Sequence, residues 1–343
     1  QKLTRCHHGT GIAAAVLAAT RAAGNGGIMR ARRSGLWTAS ALLAAAIAAA
    51  SLTRAATTPQ SDGGIAAPVL SNPQNPVSYG ADPAGAADSA AAFQKALEAG
   101  DLDVPAGLFR IDGSVHVPGS RNIRCEAGSA LEYTTSGNLA MFNWSGTSNG
   151  SVFNCQFRGV NYNVNGKAAA SSAFQQFIFV QSLGGEGGSN LTIANNDFNG
   201  IGGFIAAIHI YASDRNQPGP HNILITHNTF EHCGLYAVQL TSGHDNIISY
   251  NTLVDCNGFV EADDLGQMNT GNIIDHNTLL FIHGVGQWGP GLGGYNEMSC
   301  GAWPQGFDYS GNTCSNNVVT GFSGTPAHII QRVPGGVPAR YIN

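Results

Sequence analysis

The 343-residue sequence predicts an all-β chain wound as a right-handed parallel β-helix solenoid, with a short N-terminal capping helix. Three observations lead there. An asparagine followed by alternating apolar positions returns at Asn196-Asp197-Phe198, Asn228-Thr229-Phe230, Asn251-Thr252-Leu253, Asn277-Thr278-Leu279 and Asn317-Val318-Val319, with Asn154-Cys155-Gln156-Phe157 as an earlier copy. The spacings of 42, 32, 23, 26 and 40 residues describe one short unit carrying insertions of unequal size. Branched apolar residues stand just before the asparagine in Ile223-Leu224-Ile225, Ile247-Ile248 and Ile273-Ile274, where Val and Ile suit a pleated, covered strand. No 3.6-residue stripe surrounds these copies, so strands joined by tight turns are required, and stacking them as parallel coils lets each coil cover the apolar face of the next.

From the N-terminus, Met29-Arg30-Ala31-Arg32-Arg33 precedes an apolar run from Leu36 to Leu52, the basic and apolar regions of a secretory signal with cleavage near Ala55 or Ala56. Residues 1–28 are read as an unstructured upstream segment and 29–56 as the signal peptide, with a membrane anchor as the rival reading of the apolar stretch. The remaining chain, 75–343, is read as one β-helix domain; 46 glycines and only 11% charged residues suit a turn-rich coil. The expected location is secreted, extracellular or periplasmic.

The start of that domain carries a resemblance. Val77-Ser78-Tyr79-Gly80-Ala81-Asp82-Pro83, the stretch Asp88-Ser89 to Leu97 and Val104-Pro105-Ala106-Gly107-Leu108-Phe109-Arg110-Ile111 resemble the opening of the pectate-lyase-like superfamily of right-handed β-helix proteins. The resemblance implies an opening strand, a helix over Ala90 to Leu97 capped by Asp88 or Ser89, and a first coil strand after Gly107. It implies fold more sharply than activity, since the superfamily holds polysaccharide lyases, glycoside hydrolases, epimerases and phage tail spikes. Asp263-Asp264 answers to the paired aspartates of the galacturonase-like hydrolases. The Gly-His of Ser242-Gly243-His244 precedes that pair instead of following it, and no Arg-Ile-Lys follows.

Seven cysteines in an exported chain point to disulfides. Cys300 with Cys314 is the expected local pair, whereas Cys233 and Cys256, each five residues after its asparagine, are expected to stack in the interior. His227, His232, His244 and His276 fall at or near successive turns and are read as structural or solvent-facing; no Cys and His spacing resembles a closed zinc site, and no metal ligands are assigned.

From residue 56 onward there are nine Lys or Arg against 21 Asp or Glu. A phosphate backbone needs a basic track, so nucleic acid is not an expected partner, and no stable membrane partner is expected. The expected partner is a polysaccharide or oligosaccharide, and the shortage of lysine favours a neutral or weakly charged one. Taking Ile208, Ile210, Val238, Leu240, Val260 and Ala262 as inward turns His209, Gln239 and Glu261 into one outward ladder and Tyr211, Thr241 and Asp263 into its neighbour. Adjacent ladders lie about 6.5–7 Å apart, near the carboxylate separation of inverting glycoside hydrolysis, so Glu261, Asp263 and Asp264 are the catalytic candidates. His209, Asp214 and Arg215 are candidate catalytic partners. Tyr211, Gln239 and His244 are candidate substrate contacts, joined by Gln287, Trp288 and Tyr295 from the Gly-rich excursion Gly284 to Gly294. The bland alternative is an acidic surface or a cation-binding cluster. A lyase is the second enzymatic reading, with calcium as its one cofactor, and a non-catalytic carbohydrate-binding or tail-spike-like module is the third; the hydrolase reading needs no cofactor.

Overall fold

The computed structural model describes residues 65–134, 140–159, 162–163, 167–168, 175–200, 206–214, 217–233, 236–254, 256, 258–263, 269–280, 310–320 and 340–341. The stretches read as an upstream segment and a signal peptide, 1–28 and 29–56, lie outside the described residues. Among the described residues no helix is long and apolar enough to cross a membrane.

The strands form the expected right-handed parallel β-helix. Three parallel sheets run along the solenoid, and each coil visits them in order. Gln176–Ser182 in sheet I leads to Leu191–Ala194 in sheet II and Asp197–Asn199 in sheet III, and the chain then returns to sheet I as Ala206–Ala212. Among the described residues the sheets hold six, eight and ten strands. A small antiparallel pair, Tyr162–Asn163 with Lys167–Ala168, departs from the all-parallel pattern.

Inward positions alternate as a pleat requires. Ile178, Ile208, Val238 and Val260 occupy one interior column of sheet I, all fully buried. In sheet III, Phe157, Phe198 and Phe230 stack face to face at 4.7 and 4.9 Å, and Leu253 and Leu279 continue their column. Cys233 and Cys256 are buried free thiols, as the spacing implied, and burial pushes the Cys233 thiol up.

The asparagines close the corner between sheets II and III. Asn196, Asn228, Asn251, Asn277 and Asn317 are buried one above another, and each side-chain amide donates to the Oδ1 of the next at 2.9–3.0 Å. The same Oδ1 accepts the preceding asparagine's backbone N–H at 2.9–3.0 Å, so a buried corner keeps its polar groups paired. One detail differs from the sequence reading, and the backbone explains it. The left-handed residue is the one before the ladder asparagine: Asn154, Asn195, His227, Tyr250, His276 and Asn316 have φ from 52° to 61°. Asn154 is therefore not a ladder copy. Gln156 pairs with Asp197 and Phe157 with Phe198, so Cys155 holds the ladder position and donates its N–H to Asn196 Oδ1 at 2.9 Å. Cys155 is tied to Cys125, and this disulfide stands where the amide ladder stops. Cys314 is also disulfide-bonded; Cys300 lies outside the described residues.

At the N-terminal end, the helix Ala90–Ala99 turns Ala92, Phe93, Ala96 and Leu97 onto the first coils, with the Phe93 ring 5.5 Å from Phe109. Asp88 accepts the Ala90 N–H at 3.0 Å, whereas Ser89 accepts the Asp82 N–H at 3.0 Å. The opening strand is Ala84–Asp88, and Pro76–Tyr79 is a 3-10 turn. Gly107, at φ 150°, lies so close to Pro83 that a β-carbon there would come within 2.9 Å, which explains the glycine. Packed chain begins ahead of residue 75: Ile65 O accepts from Asn195, Ser71 donates to Asp101, and Gln74 bridges Leu102.

Candidate functional site

Sheet I carries the candidate site. Its strands are long for this chain, and their outward positions fall in register. His116, Asn143, Phe179, His209, Gln239 and Glu261 form one column; Ser145, Gln181, Tyr211, Thr241 and Asp263 form the next. The two ladders drawn from the sequence are thus extended toward the N-terminus, the first by three coils and the second by two. Glu261 and Asp263 share the strand Gly258–Asp263 and take the expected register positions. Asp264, Arg215, Gln287, Trp288 and Tyr295 lie outside the described residues.

The described side chains of this face are polar and aromatic. Ser145 Oγ donates to Gln181 Oε1 at 3.1 Å and is also bonded to Asn143. The Phe179 ring lies 5.2 Å from His209 and 6.2 Å from Tyr211, so three rings on two coils form one aromatic patch. Among the described outward residues of sheet I there is no Lys or Arg.

His209 departs from the expectation of an accessible acid or base. Its side chain points away from the coil interior yet is only 7% exposed. Burial pulls its pKa down to about 3, so the ring is neutral at ordinary pH. Nε2 lies 3.2 Å from Thr241 Oγ1, linking the two ladders, and Nδ1 has no hydrogen-bond partner among the described residues. Such a ring positions Thr241 and accepts or donates a hydrogen bond; it is a poor proton shuttle. Tyr211, Gln239 and Asp214 are half-buried, beside or just beyond this patch.

His244 lies elsewhere, at the corner between sheets I and II. Its ring stacks on His221 of the preceding coil at 4.6 Å and 12°, and Nδ1 donates to Asp245 Oδ2 at 2.8 Å. The sequence reading passed over His221. Counting back one residue from the left-handed Asn222 and Asp245 aligns the two histidines, and that was the available signal.

A second titratable group was also missed, on the outward face of sheet III. Asp197 shares its column with Gln156 and Thr229; Arg158, Asn199 and Glu231 form the adjacent column. Burial, with help from Glu231 and against Arg158, pushes the Asp197 carboxyl up to about 6, and its Oδ1 is buried without a partner among the described residues. Among the described residues no group of three or more His, Cys, Asp or Glu is placed to hold a metal ion.

No family model matches this chain, and neither does any curated protein. Among solved structures it is similar to the surface adhesin PfbA of Streptococcus pneumoniae, at 14% identity over 72% of this chain and 79% of that one, with TM-score 0.39. It is similar also to the tailspike of Acinetobacter baumannii phage AM24, at 17% identity over 75% of this chain and 49% of that one, TM-score 0.46. A third is the family 28 exopolygalacturonase of Yersinia enterocolitica, at 12% identity over 77% and 68% of the two chains, TM-score 0.42. The chain spans 61% of the Dettilon tailspike, another similar chain, and so falls short of the full length of both tailspikes.

Proposed function

We propose that the protein is an exported, polysaccharide-active β-helix protein that binds a glycan along the outward face of sheet I and hydrolyses it. The observation that carries this reading is the register of sheet I, which lines two columns of hydroxyl, amide and aromatic groups up with Glu261 and Asp263. Aromatic faces and neutral hydrogen-bonding side chains suit sugar rings and hydroxyls. Two acids on alternate residues of one strand stand about 6.5–7 Å apart at the backbone, room for a water between them. In this reading one carboxylic acid protonates the glycosidic oxygen while the other carboxylate takes a proton from the attacking water. Asp264 is the substitute for either. His209 holds Thr241, and Tyr211 with Phe179 offers the sugar platform. Calcium enters only under the lyase alternative, and a binding-only module would use the same face.

A broad polysaccharide panel separates these readings. New reducing ends without an ultraviolet-absorbing unsaturated product mean hydrolysis; that absorbance means a lyase; retention without product means binding alone. On a hydrolysed substrate, Glu261→Gln, Asp263→Asn or Asp264→Asn is expected to lower turnover about 100-fold or more where the acid takes part in proton transfer. Full turnover by all three folded variants would remove the acids from the mechanism.

A further inference from the structure

We propose that Cys233 and Cys256 close into a disulfide that staples neighbouring coils at the corner where the chain enters sheet I. The bond does not depend on the glycan reading. Glu231 pairs with Val254, and the pairing runs on past both strands, His232 N–H donating to Val254 O at 3.1 Å. Cys233 and Cys256, two residues beyond that pair, therefore stand at the same position of successive coils. Cys233 donates its backbone N–H to Cys256 Sγ at 3.3 Å, and the two thiols also interact directly. Cys256 Sγ in turn donates to Phe230 O at 3.5 Å, which holds that sulfur between the two coils. Adjacent coils of a parallel stack lie about 4.7–4.9 Å apart, inside the Cα separation of roughly 4.4–6.8 Å that a disulfide spans. This chain already bridges neighbouring coils in that way, with Cys125 and Cys155 linked at a Cα separation of 4.9 Å. The remaining cysteines among the described residues, Cys125, Cys155 and Cys314, are disulfide-bonded, so neither thiol has a competing partner there.

The structure holds the pair as thiols, and closing it takes an oxidant of the disulfide class, a small molecule such as oxidised glutathione or a protein disulfide. The thiolate of one cysteine attacks that disulfide, forming a mixed disulfide and expelling one reagent thiolate. The thiolate of the other cysteine then attacks the protein sulfur of the mixed disulfide and expels the second. The two expelled thiolates take up the two protons the cysteines gave up, and two electrons pass from the cysteine sulfurs to the oxidant. Burial disfavours the Cys233 thiolate, so the exchange belongs to folding, before the coils close over the sulfurs. The same burial then shields the finished bond from reductant. The Cys125–Cys155 link calls for the same oxidising setting. Cys233 precedes the strand Tyr236–Thr241 by three residues, and Cys256 precedes Gly258–Asp263 by two. One covalent link thus fixes the entry of both strands, which carry Gln239, Thr241, Glu261 and Asp263.

The test unfolds and reduces the full chain, then refolds it at graded ratios of oxidised to reduced glutathione, with the same series run in concentrated urea. Free thiols are trapped by alkylation, and chymotrypsin, which cuts after Tyr236 and Tyr250, separates the two cysteine peptides. Mass spectrometry without reductant should find them joined, two hydrogen atoms lighter than their sum, and reduction should part them. The refolded chain should reach half-oxidation of this pair at a ratio at least about tenfold lower than the chain in urea, because a fold that seats both sulfurs together favours the bond. Backbone hydrogen exchange over Tyr236–Thr241 and Gly258–Asp263 should slow on closure, with Gln176–Ser182 as the unchanged reference strand. Cys233→Ser and Cys256→Ser should each remove the joined peptide and that slowing. Full alkylation of both cysteines after oxidative refolding, pairing of either with another cysteine, or half-oxidation at the same ratio folded and unfolded would overturn the proposal, as would exchange over the two strands that closure leaves unchanged.

Discussion

Asn251 concentrates the chemistry of its corner in one side chain. Its Oδ1 accepts both the backbone and the side-chain N–H of Asn228, and its Nδ2 is shared among Asn277 Oδ1, Ile225 O and Ser249 O. Asn251→Ala therefore strands several buried polar groups at once and is expected to cost about 3 kcal/mol or more in urea unfolding; a loss below about 1 kcal/mol would show that the ladder is dispensable. Two other residues set opposite pH responses. His209 titrates near 3 when folded against 6.5 as a free side chain, so in that window the unfolded chain binds a proton that the folded chain refuses. Its contribution is intact above about pH 6.5 and is lost as pH falls toward 3. Asp197 is raised from 3.8 to about 6, so the folded chain is the better proton binder in that window and stability falls as pH rises through it. Melting temperatures across pH should show His209→Gln flattening the acid-side loss, and Asp197→Asn gaining stability at pH 7 with the gain fading below about pH 4. Neither shift was legible in the sequence, because burial of an outward residue depends on what distant chain lies over it. The misplacement of Asn154 has a local cause: Asn195-Asn196 carries asparagine at both the left-handed and the ladder position, and Asn154-Cys155 only at the first.

Strands and turns were far more readable, because their signals are periodic. Period-two alternation over Ile208 to Tyr211 and Val238 to Thr241 is enough to assign ladders, and the observed register agrees residue for residue. The same method stops where the copies stop. Cys125 lies ahead of the first asparagine copy read from the sequence, so no period carried the Cys125–Cys155 link into view. That link joins the end of the strand Arg121–Cys125 to the corner of the next coil across a separation of 30 residues, and in a chain-entropy account closing such a loop contributes about 3.6 kcal/mol. The Cys125→Ala/Cys155→Ala variant should lose stability of that order in guanidinium unfolding with the β-rich circular dichroism spectrum retained. An unchanged midpoint would mean the first coils are held by packing alone, through Phe93, Phe109, Phe142 and Phe157.

At the scale of the whole molecule, the solenoid sets out three faces with different chemistry: aromatic and amide groups on sheet I, stacked imidazoles at its corner with sheet II, and a carboxyl beside Arg158 on sheet III. The composition foretold the first through its shortage of lysine, but single residues on separate coils become neighbours only through the winding. The ladder that holds these coils has a further consequence for how such a chain can change over generations. Thr229 and Thr252 occupy the same register position, as do Phe230 and Leu253, and the asparagines before them each give to the coil ahead and receive from the coil behind. Removing the 23 residues between equivalent points, or copying them, rejoins like to like and leaves each remaining amide a partner. The length of the protein is thus open to inheritance in whole coils, with the length of each sheet face following as a heritable trait while the helix over Phe93 stays in place at the end.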